Sequence, residues 1–269
     1  VFYGAAANPA STKVVAAAAG TGSFSVEITG LEEAKTYYVR AYAKNSAGTV
    51  YYGDQYKFVK KNPANYNGQE VTINGVTWAP WNAGFNEATH KYGLMYQWHR
   101  KYVQNLDETP APAILSGPTT LATANSYSNM NTFYVSGSPP CDVISPQQAS
   151  WNMARQYNPC PTGWRVPTQA EFQSLVDSGH SWGTGPYGLP GRWFGPNHAG
   201  SKEGCVFLPI AGARNQNGLD FGRSNTAYYW TSTPQSTSAV VLNFGNSYLV
   251  LNNNVMPRSM GASIRCVKE

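Results

Sequence analysis

From Cys205 to the C-terminus the chain alternates apolar and polar residues with the period of a strand. The runs are CVFLPIAGAR, AYYWTSTP, SAVVLNFGN, YLVLNNN and ASIRCVK, and Val240, Leu242 and Phe244 fall on one face of the third. Two helix starts stand ahead of them. Ser145-Pro146-Gln147-Gln148 supplies an N-cap, a proline at the first helical position and a glutamine three residues after the cap. This predicts a helix to about Tyr157 with Trp151 and Ala154 facing inward, stopped by Asn158-Pro159. Thr168 with Glu171 makes a second capping box, and Phe172, Leu175 and Val176 form the apolar stripe of a helix that ends at Gly179. Helices first and a strand-rich, irregular second half predict an α+β fold.

Upstream, residues 23–60 also alternate as strands: SFSVEITGL, TYYVRAYAKNSAG and TVYYGDQYKFV, with Asn45-Ser46-Ala47-Gly48 as the turn between the last two. Tyr37, Val39, Ala41 and Ala43 fall on one face, with Tyr38, Arg40, Tyr42 and Lys44 on the other. Lys60-Lys61-Asn62-Pro63 interrupts the alternation and reads as a junction between residues 1–61 and 62–269. Beyond it, Asn74-Gly75 between two short apolar runs in EVTINGVTW is the strongest hairpin signal in the chain. Residues 103–145, dominated by Pro, Thr, Ser, Asn and Gly, read as a long loop or insertion.

Charge narrows the function. Charged residues make up 12% of the chain, about half the usual share, while Gly, Tyr and Trp number 26, 18 and 8. Such a surface suits neutral hydrogen-bonding ligands better than phosphates. The net charge of +5 is spread without a run of like charge longer than Lys60-Lys61, so no nucleic-acid or anionic-membrane footprint is present. VVAAAAG at 14–20 is too short to cross a bilayer, and no signal peptide opens the chain. Val1 begins inside a strand pattern, so the start is expected to be trimmed, and any membrane attachment would come from a lipid anchor upstream.

The four cysteines, Cys141, Cys160, Cys205 and Cys266, show no CxxC spacing, which argues against a zinc ribbon or a thioredoxin-like motif. An even number fits disulfides in an oxidising compartment, with three pairings open, or alternatively four buried thiols. His90, His99, His180 and His198 are dispersed and expected to be packed or surface groups; no HExxH, GxSxG or P-loop pattern occurs. Glu171 is accounted for by its cap, and Asp177, Glu203 and Asp220 form no acid–base pair legible in sequence. No enzyme and no cofactor are expected.

CPTGWRVPTQAEF at 160–172, YYWTSTP at 228–234 and IRCVK at 264–268, within a match from about Tyr66 to Glu269, resemble the Fibrobacter succinogenes major paralogous domain of Bacteroidetes-type surface proteins, of C-type lectin-like fold. The resemblance implies a core role for Trp164, Pro167, Phe172 and Trp230. It also implies a disulfide from the end of the first helix to the last strand, Cys160 with Cys266, leaving Cys141 for Cys205. The pattern of Leu31, Tyr37, Val39, Arg40, Ala41, Ala43, Asn45 and Gly48 resembles the closing strands of a fibronectin type III sandwich, whose first strands would lie upstream. The expected architecture is thus a lectin-like α+β domain with two short helices and an irregular antiparallel sheet, behind a partial all-β sandwich.

Calcium-dependent lectins use Glu-Pro-Asn or Gln-Pro-Asp followed by Trp-Asn-Asp; Gly195-Pro196-Asn197 lacks the carboxylate, so no calcium or other metal site is expected. GWRVPTQAEF also resembles a signature of the formylglycine-generating enzymes, but their late pair of reactive cysteines is missing. Variable proteins of diversity-generating retroelements display Asn, Tyr and Ser on this fold, and residues 215–258 are rich in them. The candidate ligand-binding residues are Asn225, Tyr228, Asn243, Asn246, Tyr248, Asn252, Asn254 and Arg258. The expected protein is a secreted or surface-anchored adhesion module that binds a glycan or a protein ligand, or else a structural subunit of a surface assembly.

Overall fold

The computed structural model describes residues 1–15, 24, 26, 28, 36–59, 68–101, 113–126, 132–135, 143–145, 151, 157–252 and 254–269. The chain forms two compact units, Val1–Asn67 and Gly68–Glu269.

In the first unit the strands Phe2–Gly4, Thr12–Lys13, Thr36–Lys44 and Val50–Val59 make one antiparallel sheet in which Val50–Val59 is an edge. Asn45 and Gly48 close the predicted turn: the Gly48 amide donates to the Asn45 carbonyl at 3.0 Å, with Gly48 at φ +87°. A bulge between Arg40 and Tyr42 breaks the predicted alternation. Tyr42 therefore packs on Phe2, 4.7 Å between ring centroids, while Ala41 and Ala43 are exposed. The predicted strand SFSVEITGL lies largely outside the described residues.

The α+β expectation is overturned. Among the described residues the structure is mostly β, in several small sheets that are antiparallel but for one parallel pair, with no closed barrel and only two short α-helices, Leu121–Ala124 and Gln169–Asp177. Frequent Gly and Asn turns divide the described residues into strands of two to ten residues, lengths sufficient for ladders but marginal for a helix without a strong cap. Of the helix predicted at 145–157, residues 146–150 and 152–156 lie outside the described residues. Trp151 is fully buried among Trp98 and Trp230.

Gln169–Asp177 carries the capping box as predicted: Thr168 Oγ1 accepts from the Glu171 amide and Glu171 Oε2 accepts from the Thr168 amide. Arg165 clamps the same carboxylate at 2.6 and 2.9 Å. Burial opposes the charge on Glu171, yet the bonds from Arg165 and Thr168 hold its pKa below the ordinary value. Asn74 at φ +49° and Gly75 at φ +80° make the predicted hairpin between Val71–Ile73 and Val76–Asn82.

The hairpin of Thr226–Gln235 with Ser238–Gly245 sits between two cores. Val240, Leu242 and Phe244 face one, with Trp78, Phe172 and Tyr229. Ala239 and Val241 face the other, with Trp98, Trp151, Trp230, Cys160 and Cys266. Phe172, Trp230 and Pro167 are buried, whereas Trp164 is half-buried, with the Lys268 ammonium 5.8 Å from its ring centroid.

The region read as one long loop carries structure of its own. Ala113–Ser116 pairs in parallel with Thr132–Val135, and Ala124, Tyr134, Val143 and Ile144 make a small apolar cluster. Two buried polar side chains staple it to the rest. Gln97 Nε2 donates to the carbonyls of Tyr134 and Ser259, and Arg100 donates to the carbonyls of Ala124 and Thr132. Burial lowers the Arg100 pKa to about 10, which still leaves it charged at neutral pH.

Cys160 and Cys266 are bonded, with 5.9 Å between their Cα atoms. The Cys141–Cys205 pairing is not formed: Cys205 is a buried free thiol that donates to the Glu203 carbonyl, and Cys141 lies outside the described residues. Burial raises the Cys205 pKa, against the opposing Asn197 amide and Lys202 ammonium. A thiol that is both buried and protonated reacts slowly. Alkylation of the folded protein at neutral pH is expected to leave Cys205 unmodified, with full labelling after denaturation, as read by peptide mass spectrometry; rapid native labelling would contradict this placement.

Candidate functional site

The hairpin register decides which predicted residues meet. Tyr228 lies opposite Asn243, and Tyr229 opposite Leu242. Since side chains alternate across a strand, Tyr229 and Leu242 enter the core while Tyr228 and Asn243 face the other way. At this end the second core runs out, so both are only half-buried.

Thr226 knits the group together. Its hydroxyl donates to the Phe244 carbonyl at 3.2 Å and accepts from Asn243 Nδ2 at 2.9 Å. It also shares a hydrogen bond with the Tyr248 phenol, 2.6 Å away, in which either oxygen can donate. Tyr248 is 40% exposed. Its ring lies over Gly245, where a Cβ would meet Tyr248 Cε1 at 2.6 Å and the Asn225 carbonyl at 3.0 Å. Burial pushes the Tyr228 phenol up, against hydrogen bonding to Thr226 and Asn243. Phe221 extends the surface, 5.3 Å from the Tyr228 ring, and Asn225 and Arg223 are exposed beside it. Arg223 pairs with Asp220 at 3.0 Å, and Asp220 also faces Arg214 at 3.4 Å.

Behind the patch stands a residue that sequence reasoning missed. Arg192, buried, donates to the carbonyls of Gly245, Asn246 and Tyr248, and so fixes the turn that presents Tyr248. Its Nη1 also lies 3.0 Å from His180 Nδ1. Desolvation lowers the pKa of both, and for His180 the Arg192 and His198 charges add to it, so the imidazole is neutral and accepts from Arg192. Nothing in the run PGRWF marks this arginine.

The structure thus gathers Asn225, Tyr228, Asn243 and Tyr248, with Asn246 exposed on the adjoining turn. Asn252, Asn254 and Arg258 belong elsewhere. Asn252 is exposed and accepts from Gln169 at 3.3 Å, and Asn254 Nδ2 donates to the Val241 carbonyl at 3.2 Å, serving the strand edge. Arg258 is corrected outright as a ligand contact: it is 1% exposed, donates to the carbonyls of Ser236 and Ser238, and lies 4.0 Å over the Trp98 ring. Its guanidinium is core, because several carbonyls and an aromatic face converge on it.

Other candidates are also accounted for. His99 is packed between Trp98 and Trp151, and Asn197 Nδ2 donates to the Glu203 carbonyl within its own turn. Among the described residues no three of His, Cys, Asp and Glu converge to hold a metal ion, and no helix is long and apolar enough to cross a membrane.

A second surface escaped the sequence altogether. Trp81 and Phe85 stack at 4.4 Å and 12°, and Tyr187 leans against both at 5.7 Å. The three rings border a narrow slot whose lining also includes Asn82, Lys91, Leu189, Phe207 and Arg265. Tyr187 arrives more than a hundred residues after its partners, at φ +60° in a turn.

No curated protein and no solved structure matches the chain. The family model of the Fibrobacter succinogenes major domain does, over residues 32–268. That span takes in both surfaces, the bonded Cys160 and Cys266 and the capped helix, and the chain therefore belongs to the Fibrobacter succinogenes major domain family.

Proposed function

We propose that the chain is an extracellular or cell-surface adhesion module that acts by binding, and that its larger unit recognises a neutral glycan through Tyr228, Asn243, Tyr248 and Asn225. The observation that carries this reading is the Thr226-centred network. It holds two tyrosines in fixed orientation, so little entropy is lost when a ligand arrives. Tyrosine rings offer an apolar face to the C–H side of a sugar, while phenol and amide groups meet its hydroxyls. Burial pushes the Tyr228 phenol up, away from ionisation, and the exposed Arg223 is already paired with Asp220, which suits a ligand without charge. The disulfide supports an oxidising compartment.

The test is a glycan array probed with the whole chain, followed by titration of the best binder. Tyr248→Ala is expected to weaken binding about tenfold, which corresponds to about 1.4 kcal/mol. Gly245→Ala should do likewise by displacing the Tyr248 ring without removing it. Arg258→Ala, once shown to be folded, should leave the affinity unchanged. Affinity indifferent to both Tyr248→Ala and Gly245→Ala would discard the site.

A further inference from the structure

Asn243 is the middle residue of a row that crosses three strands. It lies opposite Tyr228 on one side and opposite Val250 on the other, where Leu249–Val250 pairs with Ser238–Gly245. Residues directly opposite in an antiparallel ladder share a face, with their Cβ atoms about 5 Å apart. The side chains of Tyr228, Asn243 and Val250 therefore stand together. Leu249 and Leu251, the chain neighbours of Val250, turn the other way and pack in the core with Phe244. Val250 itself is 43% exposed, and Tyr248, two residues before it, lies on the same side of the chain.

The row has two unlike halves. On its Tyr228 side Asn243 spends its amide nitrogen: Nδ2 donates to the Thr226 hydroxyl and to the Ala227 carbonyl, each at 2.9 Å. A carbonyl only accepts, so the Ala227 contact fixes which end of the amide is the nitrogen. Both acceptors belong to Thr226–Gln235, and the Tyr228 phenol, hydrogen-bonded to the same amide, is on that strand too. The amide group is planar, so with Nδ2 turned to this strand Oδ1 turns away from it, to the Val250 side. What Asn243 offers a ligand is thus an acceptor. Beside that acceptor Val250 offers methyl groups and no polar side-chain atom.

We propose that this row selects glycans that carry an acetamido sugar, with the acetamido N–H donated to Asn243 Oδ1 and the acetyl methyl packed on Val250. The proposal rests on the glycan reading given above and names the sugar class for the same face. A hydroxyl supplies the donor hydrogen but leaves the Val250 methyls against water. The methyl of a deoxy sugar covers Val250 but brings no donor to Asn243. An acetamido group does both at once, because in a planar trans amide the N–H and the methyl lie on the same side of the C–N bond. The spacing of the two features on the sugar therefore matches two side chains held opposite one another by strand register.

The test titrates the whole chain with two pairs of sugars alike but for the acetamido group: diacetylchitobiose against cellobiose, and methyl N-acetylgalactosaminide against methyl galactoside. Binding is read by NMR, with saturation transfer to the acetyl methyl. In at least one pair the acetamido member is expected to bind about tenfold more tightly, the combined effect of one hydrogen bond and one buried methyl. Val250→Thr keeps the branched shape and exchanges a methyl for a hydroxyl at an exposed position, so it should fold normally and cut the preference about fivefold. A 2-O-acetyl sugar, which keeps the methyl but has no N–H, should bind more weakly than its acetamido counterpart. Equal affinity within both pairs, abolished by Tyr248→Ala, would overturn the acetamido assignment and leave the glycan face standing. A preference that survives Val250→Thr intact would overturn it as well. If none of the four sugars binds and the glycan array is also empty, both this proposal and the glycan reading fall.

Discussion

Replacement of Cys266 by alanine, or selective reduction of its bond to Cys160, is expected to destabilise the larger unit by about 4 kcal/mol. The bond closes a loop of 106 residues, and in the chain-entropy account a loop of roughly that length is worth about 4 to 5 kcal/mol through the freedom it removes from the unfolded chain. For a unit of this size each kcal/mol corresponds to roughly 2 to 4 °C, so the melting midpoint should fall by about 8 to 16 °C. Both sulfurs lie in the core that contains Trp98, Trp151 and Trp230, and local packing loss would add to the entropic effect. Chemical denaturation of oxidised and reduced protein, followed by tryptophan fluorescence, measures it. A loss below about 1 kcal/mol would mean that the last strand is held by packing alone. Cys205→Ala makes the contrast, since that residue closes no loop.

Arg265→Ala is expected to cost a comparable amount, about 4 kcal/mol, by another route. The guanidinium is 1% exposed and links the Val76–Asn82 strand to the neighbouring Phe207 strand through Asn82 Oδ1 and the carbonyls of Ala79, Pro80 and Phe207. Each buried acceptor stranded by its removal costs about 1 to 3 kcal/mol, less whatever entering water recovers. Arg265→Lys should lose roughly half as much, because an ammonium on a straight stem cannot span the same set of carbonyls as a planar fork. Urea unfolding of the three proteins decides the matter. If Arg265→Ala stays within about 1 kcal/mol of the parent, the arginine is not what joins these strands.

Arg265 also shows why part of this fold was hidden. In IRCVK the alternation puts Ile264 and Cys266 on one face and Arg265 and Val267 on the other, and a charged residue in a strand ordinarily marks the solvent face. Here Val267 is fully buried as well, so that face is also core. Ser238–Gly245 repeats the lesson: the run Val240, Leu242, Phe244 was legible as one face, but only the packing shows Ala239 and Val241 buried on the other. The α+β assignment failed on a similar point. Helix signals at Thr168 were real and local, yet they describe nine residues in a chain otherwise divided among short strands.

In the candidate sites the same division holds. Asn and Tyr residues near 225–254 were visible as a compositional cluster, but composition cannot separate Tyr248, which is exposed, from Arg258, whose guanidinium is consumed by Ser236 and Ser238. The slot of Trp81, Phe85 and Tyr187 had no signal at all, since stacking contacts leave no period in a sequence.

Residue order by itself determined what acts over a few positions: the Thr168–Glu171 capping box, the Asn74–Gly75 turn, the strand alternation and the scarcity of charge. Motif resemblance added the partner of Cys160. Tertiary structure alone decided which strand faces are buried twice, which arginines become core, and which distant rings share a surface. The physical reason is range: caps and turns are satisfied by neighbouring backbone groups, whereas the burial of a side chain depends on every element that packs around it.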